Sequence, residues 1–401
     1  MKTDSRYDVI VAGGGPVGLL LAGLLGRQNL HVLLLEKRAQ RPDASMAIGV
    51  TPPSLRILRR LELDRLLVQR GVRITEAVVH GGAGELGRVG FNALPGDYPF
   101  ILAVPQSATM ALLEDAVERC PRVTFRRGAE VTGMEEGSSG VGVTFREGGA
   151  ETKVEARYLA ACDGHRGPIR SLAGIPSVDK DYGLSFLMAD FDDRSGMGDS
   201  AHLFFTATGS VEAFPLPGGR RRWVILTEQF MDNAPEGYLE RMVHERAGID
   251  LAGSAKLFQT PFRVRRSLAR HYYRGRVALC GDAAHVMSPI GGQGMNTGFA
   301  DAEFLAHALV LLCSTSEAGE DVLRDYDRFR RHAFKVASAR AARGMWLGTR
   351  RGRWVTAMRD AAIRHVLLKP PLCHALPAYF AMLTIPFNSL DHVPGFAPVE
   401  A

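Results

Sequence analysis

The sequence has few cysteines and none in a ligating spacing. Cys120, Cys162, Cys280, Cys313 and Cys373 are odd in number and scattered, with no C-x-x-C pair. This excludes a disulfide-framed fold and a zinc site of ordinary spacing, and it suits a reducing compartment. Long apolar runs are missing too. No stretch reaches the roughly 18 uninterrupted apolar residues of a spanning helix, and the nearest, Leu372 to Phe387, is broken by His374, Pro377 and Pro386. The short charged segment Met1 to Tyr7 leads into glycines instead of a small-residue cleavage site, so no signal peptide is read. A cytoplasmic protein without an integral membrane segment is expected, as a monomer or homodimer. There is no internal repeat and no low-complexity tract.

Excess charge is scarce outside one window. The formal net charge is +6 over 401 residues, yet residues 340–369 hold Arg340, Arg343, Arg350, Arg351, Arg353, Arg359, Arg364 and Lys369 against Asp360 alone. The remainder is nearly neutral, which excludes a surface that tracks nucleic acid along its length. Gly344, Gly348 and Gly352 recur every four residues there, predicting a small-residue stripe on one helix face. The arginines spread around that helix without the apolar–basic division of a membrane-surface helix, so a solvated, partly ion-paired helix is expected. At 46% hydrophobic and 23% charged, the whole is an ordinary globular chain of two or three domains.

What is present is a βαβ signature. Asp8 to Ala12 reads as a buried strand, Pro16 to Gln28 as a helix with an early proline, and His31 to Leu35 as a second strand ending at Glu36. Between them lies Gly13-x-Gly15-x-x-Gly18. The first glycine permits the turn, the second lets backbone approach a pyrophosphate, and the third lets helix and strand pack closely. Glu36 then stands where a ribose diol needs an acceptor. Gly82-x-Gly84-x-x-Gly87 repeats the pattern but is followed by strand-like residues and no closing acid, so it reads as a hairpin turn. Pro52 to Arg70 and Ser107 to Arg119 read as helices, Val123 to Phe145 as strands, and short β-rich runs between Ser185 and Val264 as a mostly antiparallel sheet. Arg276 to Cys280 returns to a buried strand, and the chain is helical from Gly298.

That strand ends in Gly281-Asp282, followed by Ala-Ala-His285 and Ser288-Pro-Ile-Gly-Gly-Gln-Gly-Met-Asn296. An acid at a strand end binds sugar or ribityl hydroxyls, and the glycines 291–294 expose backbone N–H groups before a helix opens. The run Arg276 to Asn296 strongly resembles the single-component FAD-dependent aromatic hydroxylases, most closely the branch of phenol hydroxylase and polyketide-tailoring hydroxylases. The resemblance covers Tyr7 to about Leu312. It implies an α/β fold of the para-hydroxybenzoate hydroxylase type: a Rossmann-like FAD-binding domain, an interleaved mostly antiparallel substrate sheet and a helical C-terminal tail. The expected segments are 1–75, 101–180 and 273–338 for FAD binding, 76–100 and 181–272 for the substrate domain, and 339–401 for the tail.

The resemblance also implies the site. FAD would be held by Gly13, Gly15, Pro16, Val17, Gly18, Glu36, Lys37, Arg38, Gln106, Val131, Asp163, Gly164, Arg170, Gly281, Asp282, Pro289, Gly292, Gly294, Met295 and Asn296. NADPH or NADH would bind transiently, reduce the flavin and leave, and a flavin C4a-hydroperoxide would hydroxylate an aromatic or phenolic substrate with O2 as co-substrate. Two departures stand out. Gly167 replaces the usual serine after Asp163-Gly164, and the loop Asp43 to Gly49 has no central arginine, leaving Arg38 or Arg41 to substitute. No metal site is expected. No motif marks a base: His202, Tyr182, Arg222 and His80 are pocket candidates, and His285 is read as structural or flavin-proximal. A chain ending at Ala401 points to compact members without a thioredoxin-like domain, acting on small phenolic acids, heterocycles or natural products. A Baeyer–Villiger oxygenase, a halogenase, a prenyl reductase or a flavin binder without turnover remain alternatives.

Overall fold

The computed structural model describes residues 7–41, 46–289, 291–314, 321–388 and 390. The apolar runs near the N-terminus form strands that are almost wholly buried, with the helix Pro16–Arg27 packed on the sheet they build. Tyr7–Ala12 pairs in parallel with Val32–Glu36 on one side and with the long strand Ala150–Ala161 on the other. Val277–Leu279 extends the parallel set beyond Ala150–Ala161, and Val123–Arg127 extends it beyond Val32–Glu36. Helix Pro16–Arg27, leucine-rich and almost wholly buried, packs against the helices Gln106–Glu118 and Gln293–Ser314.

Gln293–Ser314 is long and apolar enough to cross a membrane by length and composition, but most of it is inside the protein core. Its apolar character comes from contacts on nearly every side, including the helix Asp321–Gly348.

The second large sheet is mostly antiparallel. Its order runs through His285–Val286, Lys256–Ala269, Ser177–Asp192, Arg220–Thr227, Gly209–Leu216, Ala201–Thr206, Glu76–Gly81 and Gly84–Gly90. The second glycine triplet is the turn of the last pair, with Gly84 at φ 105° and Gly87 at φ 153°. Alternation gives this sheet two different faces. On one, Leu187, Ala189, Val211, Ala213, Trp223 and Ile225 pack beneath the helix Tyr238–Ala247. The other, called here the inner face, carries Phe186, Met188, Val224 and Leu226 against Met345 of the long C-terminal helix.

Three expectations change. Pro52 to Arg70 is two helices, Pro52–Arg59 and Asp64–Gln69. Glu62 turns left-handed at φ 60° and the Leu63 N–H closes back on the Leu58 carbonyl, which ends the first helix without the usual glycine. The glycine stripe is not on one helix, because the helix stops at Gly348 and Gly352 at φ 94° begins the next. Of the three, only Gly348 is closely packed, against the Phe205 ring. The basic window is less solvated than expected. Arg351, Arg359 and Arg364 donate to the carbonyls of Thr227, Phe205 and Glu85, so the tail straps strand ends of the second sheet.

Candidate active site

Strand register assembles the motifs. Ala12 is level with Leu35 and with Ala161, and Ala161 is level with Leu279. Four parallel strands therefore end together, and the segments that follow them converge at their carboxyl ends, the ordinary ligand crevice of such sheets. At Gly13, φ is 106° and an added Cβ would overlap the Cys162 carbonyl. At Gly18 it would overlap the Gly13 carbonyl, but at Gly15, on the helix N-terminus, it would meet nothing within 4 Å. The turn is thus tight against protein everywhere except where an anion would approach.

Pro16 opens that helix, and Val17 fills the space between Gly281 and Gly298, whose added Cβ atoms would each press on it. Glu36 accepts from the Gly14 N–H at 2.7 Å and the Arg38 N–H at 2.8 Å, which fixes its carboxylate at the crevice edge. Lys37 and Arg38 are exposed beside it, and Val131 is buried in the neighbouring strand Ala129–Glu136. Arg41 pairs with Glu114 at 3.1 Å, so it faces the helix Gln106–Glu118. Residues 43–45 of the loop lacking the arginine lie outside the described residues. Gln106 caps the loop's end, accepting from the Ala47 N–H at 3.2 Å.

Asp163 accepts from the Ile169 N–H with one oxygen, while its other oxygen and Arg170 Nη1 are buried without partners among the described residues. Gly164 turns at φ 76°. The Gly167 substitution has a steric reason here, because a Cβ at 167 would overlap the Asp163 carboxyl. Asp282 has no hydrogen-bond partner among the described residues. It is exposed along one edge, yet so much protein surrounds it that burial pushes its carboxyl above the ordinary carboxylate value, as it does for Asp163.

Pro289, Gly291 and Gly292 are exposed, and both glycines are left-handed, at φ 82° and 65°. Gly294 and Met295 follow in the first helical turn, half-buried. Asn296 has a protein task that the sequence did not reveal. Its amide donates to the Gly49 and Gly292 carbonyls at 3.0 and 2.6 Å, and its oxygen accepts from the Thr51 N–H at 3.0 Å. It clamps the glycine loop to segment 46–51. His285 is structural: it is buried, 2.5 Å from Asp301 and stacked on Phe334. Asp301 also receives Arg330 Nε at 2.7 Å. Burial alone would raise Asp301, but His285 and Arg330 outweigh it and hold the carboxyl below its usual value.

The pocket candidates divide by face. Arg222 and Tyr182 belong to the inner face with Phe258 and Phe186. Arg222 holds Asp190 by two bonds of 2.6 and 2.8 Å and donates its remaining arm to the Met46 carbonyl at 2.7 Å. This bond joins the inner face to segment 46–51 and hence to the glycine loop. His202 and His80 are on the opposite face, 3.0 Å apart and stacked with Phe204, which packs toward the helix Tyr238–Ala247. Strand alternation puts them on the face opposite Arg222 and Tyr182. The same pairing shows what was missed: Glu212 lies directly opposite Val224 and Leu203, on the inner face. A lone acid alternating with Val211 and Ala213 in a β-rich run was the available signal.

The family model described as FAD binding domain matches residues 6–341. This chain belongs to that family. It is 32% identical to 6-methylpretetramide 4-monooxygenase of Streptomyces rimosus over 80% of the chain and 58% of that protein. It is 28% identical to para-nitrophenol 4-monooxygenase of a Pseudomonas species over 82% of the chain and 84% of that protein. Among solved structures, p-nitrophenol 4-monooxygenase of Pseudomonas putida superposes with a TM-score of 0.82 at 24% identity, covering 94% of this chain and 98% of that one, and carries the fold alone. Anhydrotetracycline hydroxylase of Streptomyces rimosus gives 0.80 at 27% identity, covering 95% and 77%. The chain is an FAD-dependent monooxygenase of the aromatic hydroxylase type with a para-hydroxybenzoate hydroxylase-like fold.

Proposed function

We propose that the protein hydroxylates an uncharged aromatic or phenolic substrate, using NADPH or NADH as electron donor and O2 as oxidant. The observation that carries this is the Arg222–Met46 bond, which sets the inner face of the sheet against the segment that Asn296 clamps to the glycine loop. FAD fits the crevice: the Gly15 approach is open, Asp282 is an acceptor set without a protein partner, and Arg170 Nη1 and Asp163 Oδ1 are an orphaned donor and acceptor.

Gly13, Gly15 and Gly18 with the N-terminus of Pro16–Arg27 would hold the pyrophosphate, Glu36 the adenosine ribose, and Asp282 the ribityl hydroxyls. Pro289 and the backbone 291–296 would border the isoalloxazine. When bound, the flavin takes electrons from the nicotinamide, activates O2 and delivers one oxygen atom to the ring. The chain's own residues orient and shield. Phe186, Met188, Val224 and Leu226 make the inner face dry, and the Arg222–Asp190 pair holds its edge without offering a free charge.

The test is substrate-dependent NADPH oxidation by the purified yellow protein, with the product weighed by mass spectrometry. A gain of one oxygen with a rearomatised ring is expected. NADPH consumption with no oxygenated product from any phenol, or lactone formation, would overturn the reading.

A further inference from the structure

Glu212 is the residue of the inner face whose chemistry nothing above uses. It sits mid-strand in Gly209–Leu216, where a carboxylate is costly unless something compensates it. It is 8% exposed and its carboxyl has no hydrogen-bond partner or salt bridge among the described residues. The three side chains that frame it are apolar. Val224 and Leu203 are directly across on the two neighbouring strands, and Phe214 is two residues along on the same face. Those three belong to three separate apolar clusters, so the carboxyl lies where the clusters meet.

Arg222 is on the same face, paired across from Phe214 and so one step diagonally away. All of its reach is spent on Asp190 and the Met46 carbonyl. Arg359 and Asp360 of the packed C-terminal helix bind each other, Arg359 also taking the Phe205 carbonyl. Arg340 is held by Thr384, over the Tyr379 ring. Burial alone acts on Glu212, and it pushes the carboxyl up to about 7.

We infer that Glu212 is the substrate-binding acceptor of the inner face, recognising an uncharged ring that bears a hydroxyl group and receiving that hydroxyl's proton. The inference rests on the monooxygenase reading and names its substrate class. The substrate's O–H bond breaks, the electron pair stays on oxygen and feeds the ring, and a new O–H bond forms on the Glu212 carboxylate. When the ring re-forms, Glu212 returns that proton to the same oxygen and the displaced ring proton leaves to water. An aromatic carboxylate meets an acid here instead of a free guanidinium, so the expectation of small phenolic acids is narrowed to neutral hydroxylated rings.

The test uses FAD-loaded wild type, Glu212→Gln and Glu212→Leu, titrated with 2-naphthol, 2-methoxynaphthalene and 2-naphthoate while flavin absorbance and naphthol fluorescence are followed. Wild type is expected to bind 2-naphthol about tenfold more tightly than its methyl ether, the size of one charge-assisted hydrogen bond. That preference should grow as pH rises through about 7, and 2-naphthoate should bind most weakly. Both variants should keep FAD and the ether's affinity while losing the preference and its pH dependence. A preference that survives in either FAD-loaded variant, or a wild type that binds the ether or the carboxylate as tightly as the naphthol, overturns the inference alone. A wild type that holds no FAD overturns the functional reading and this inference with it.

Discussion

The cofactor half and the sheet half each bury a carboxylate, and they treat it in opposite ways. Asp301, 0% exposed, lies between His285 and Arg330 and is held below its usual value despite its burial. Glu212, 8% exposed, has no such partner and is pushed up to about 7. The first is an internal fastener joining the Gly-Asp loop, the helix Gln293–Ser314 and the long C-terminal helix. The second is kept ready for a donor that the protein does not supply. A buried charge with its partners built in is structural, and one without them is set up for a ligand.

The largest break in this comparison is Arg330→Met. It removes three hydrogen bonds made by a fully buried guanidinium, to Asp301 and to the Thr297 and Phe387 carbonyls, and leaves Asp301 with His285 alone. A loss of about 3–5 kcal/mol is expected in urea unfolding. The Asp301 contribution is present above the unfolded value of 3.8 and is lost as pH falls through its lower folded value. Wild type should therefore lose stability on acidification more steeply than Arg330→Met. Equal acid slopes would show that the pair does no such work.

Glu212 predicts the reverse sign at an intermediate size. Its folded value lies above the ordinary 4.5, so its contribution is fully present below 4.5 and is lost as pH rises to about 7. A shift of that size corresponds to about 3 kcal/mol. Relative to wild type, Glu212→Gln should gain roughly that much between about pH 4.5 and 7.5, whatever constant penalty the amide carries. A flat difference between the two unfolding curves across this window would contradict the contrast with Asp301.

The geometry of the candidate crevice was legible because backbone builds it. Glycines at 13, 15, 18, 281 and 291–292 serve by lacking side chains, and such positions print their spacing directly in the sequence. Glu36 and Asp282 were legible because they follow strands that end level. The sheet half was not. Which of His202, Arg222 and Glu212 faces inward depends on the pairing of Gly209–Leu216 with two strands, and one residue of slip would exchange the faces. The clamp made by Asn296 was not legible, because its three partner residues come from segment 46–51, about 245 residues away, and from its own loop. The break at Glu62 was hidden for a local reason, a left-handed turn at a residue other than glycine.

The smallest effect is expected on the outer face. His202 and His80 share one ring-nitrogen contact, and burial with mutual repulsion holds His202 down to about 4. His202 is therefore neutral at working pH, with its contacts directed to His80 and Phe204. His202→Leu trades a half-buried imidazole for an apolar chain of similar bulk. It should cost about 1–2 kcal/mol of stability through the lost contact and leave both FAD affinity and the kcat/KM for hydroxylation within about twofold. Because the residue is one position along its strand from Leu203, which faces Glu212, this substitution tests the alternation itself. A tenfold fall in kcat/KM, with FAD affinity intact, would mean that the substrate lies on the other side of the sheet and that Glu212 faces only protein.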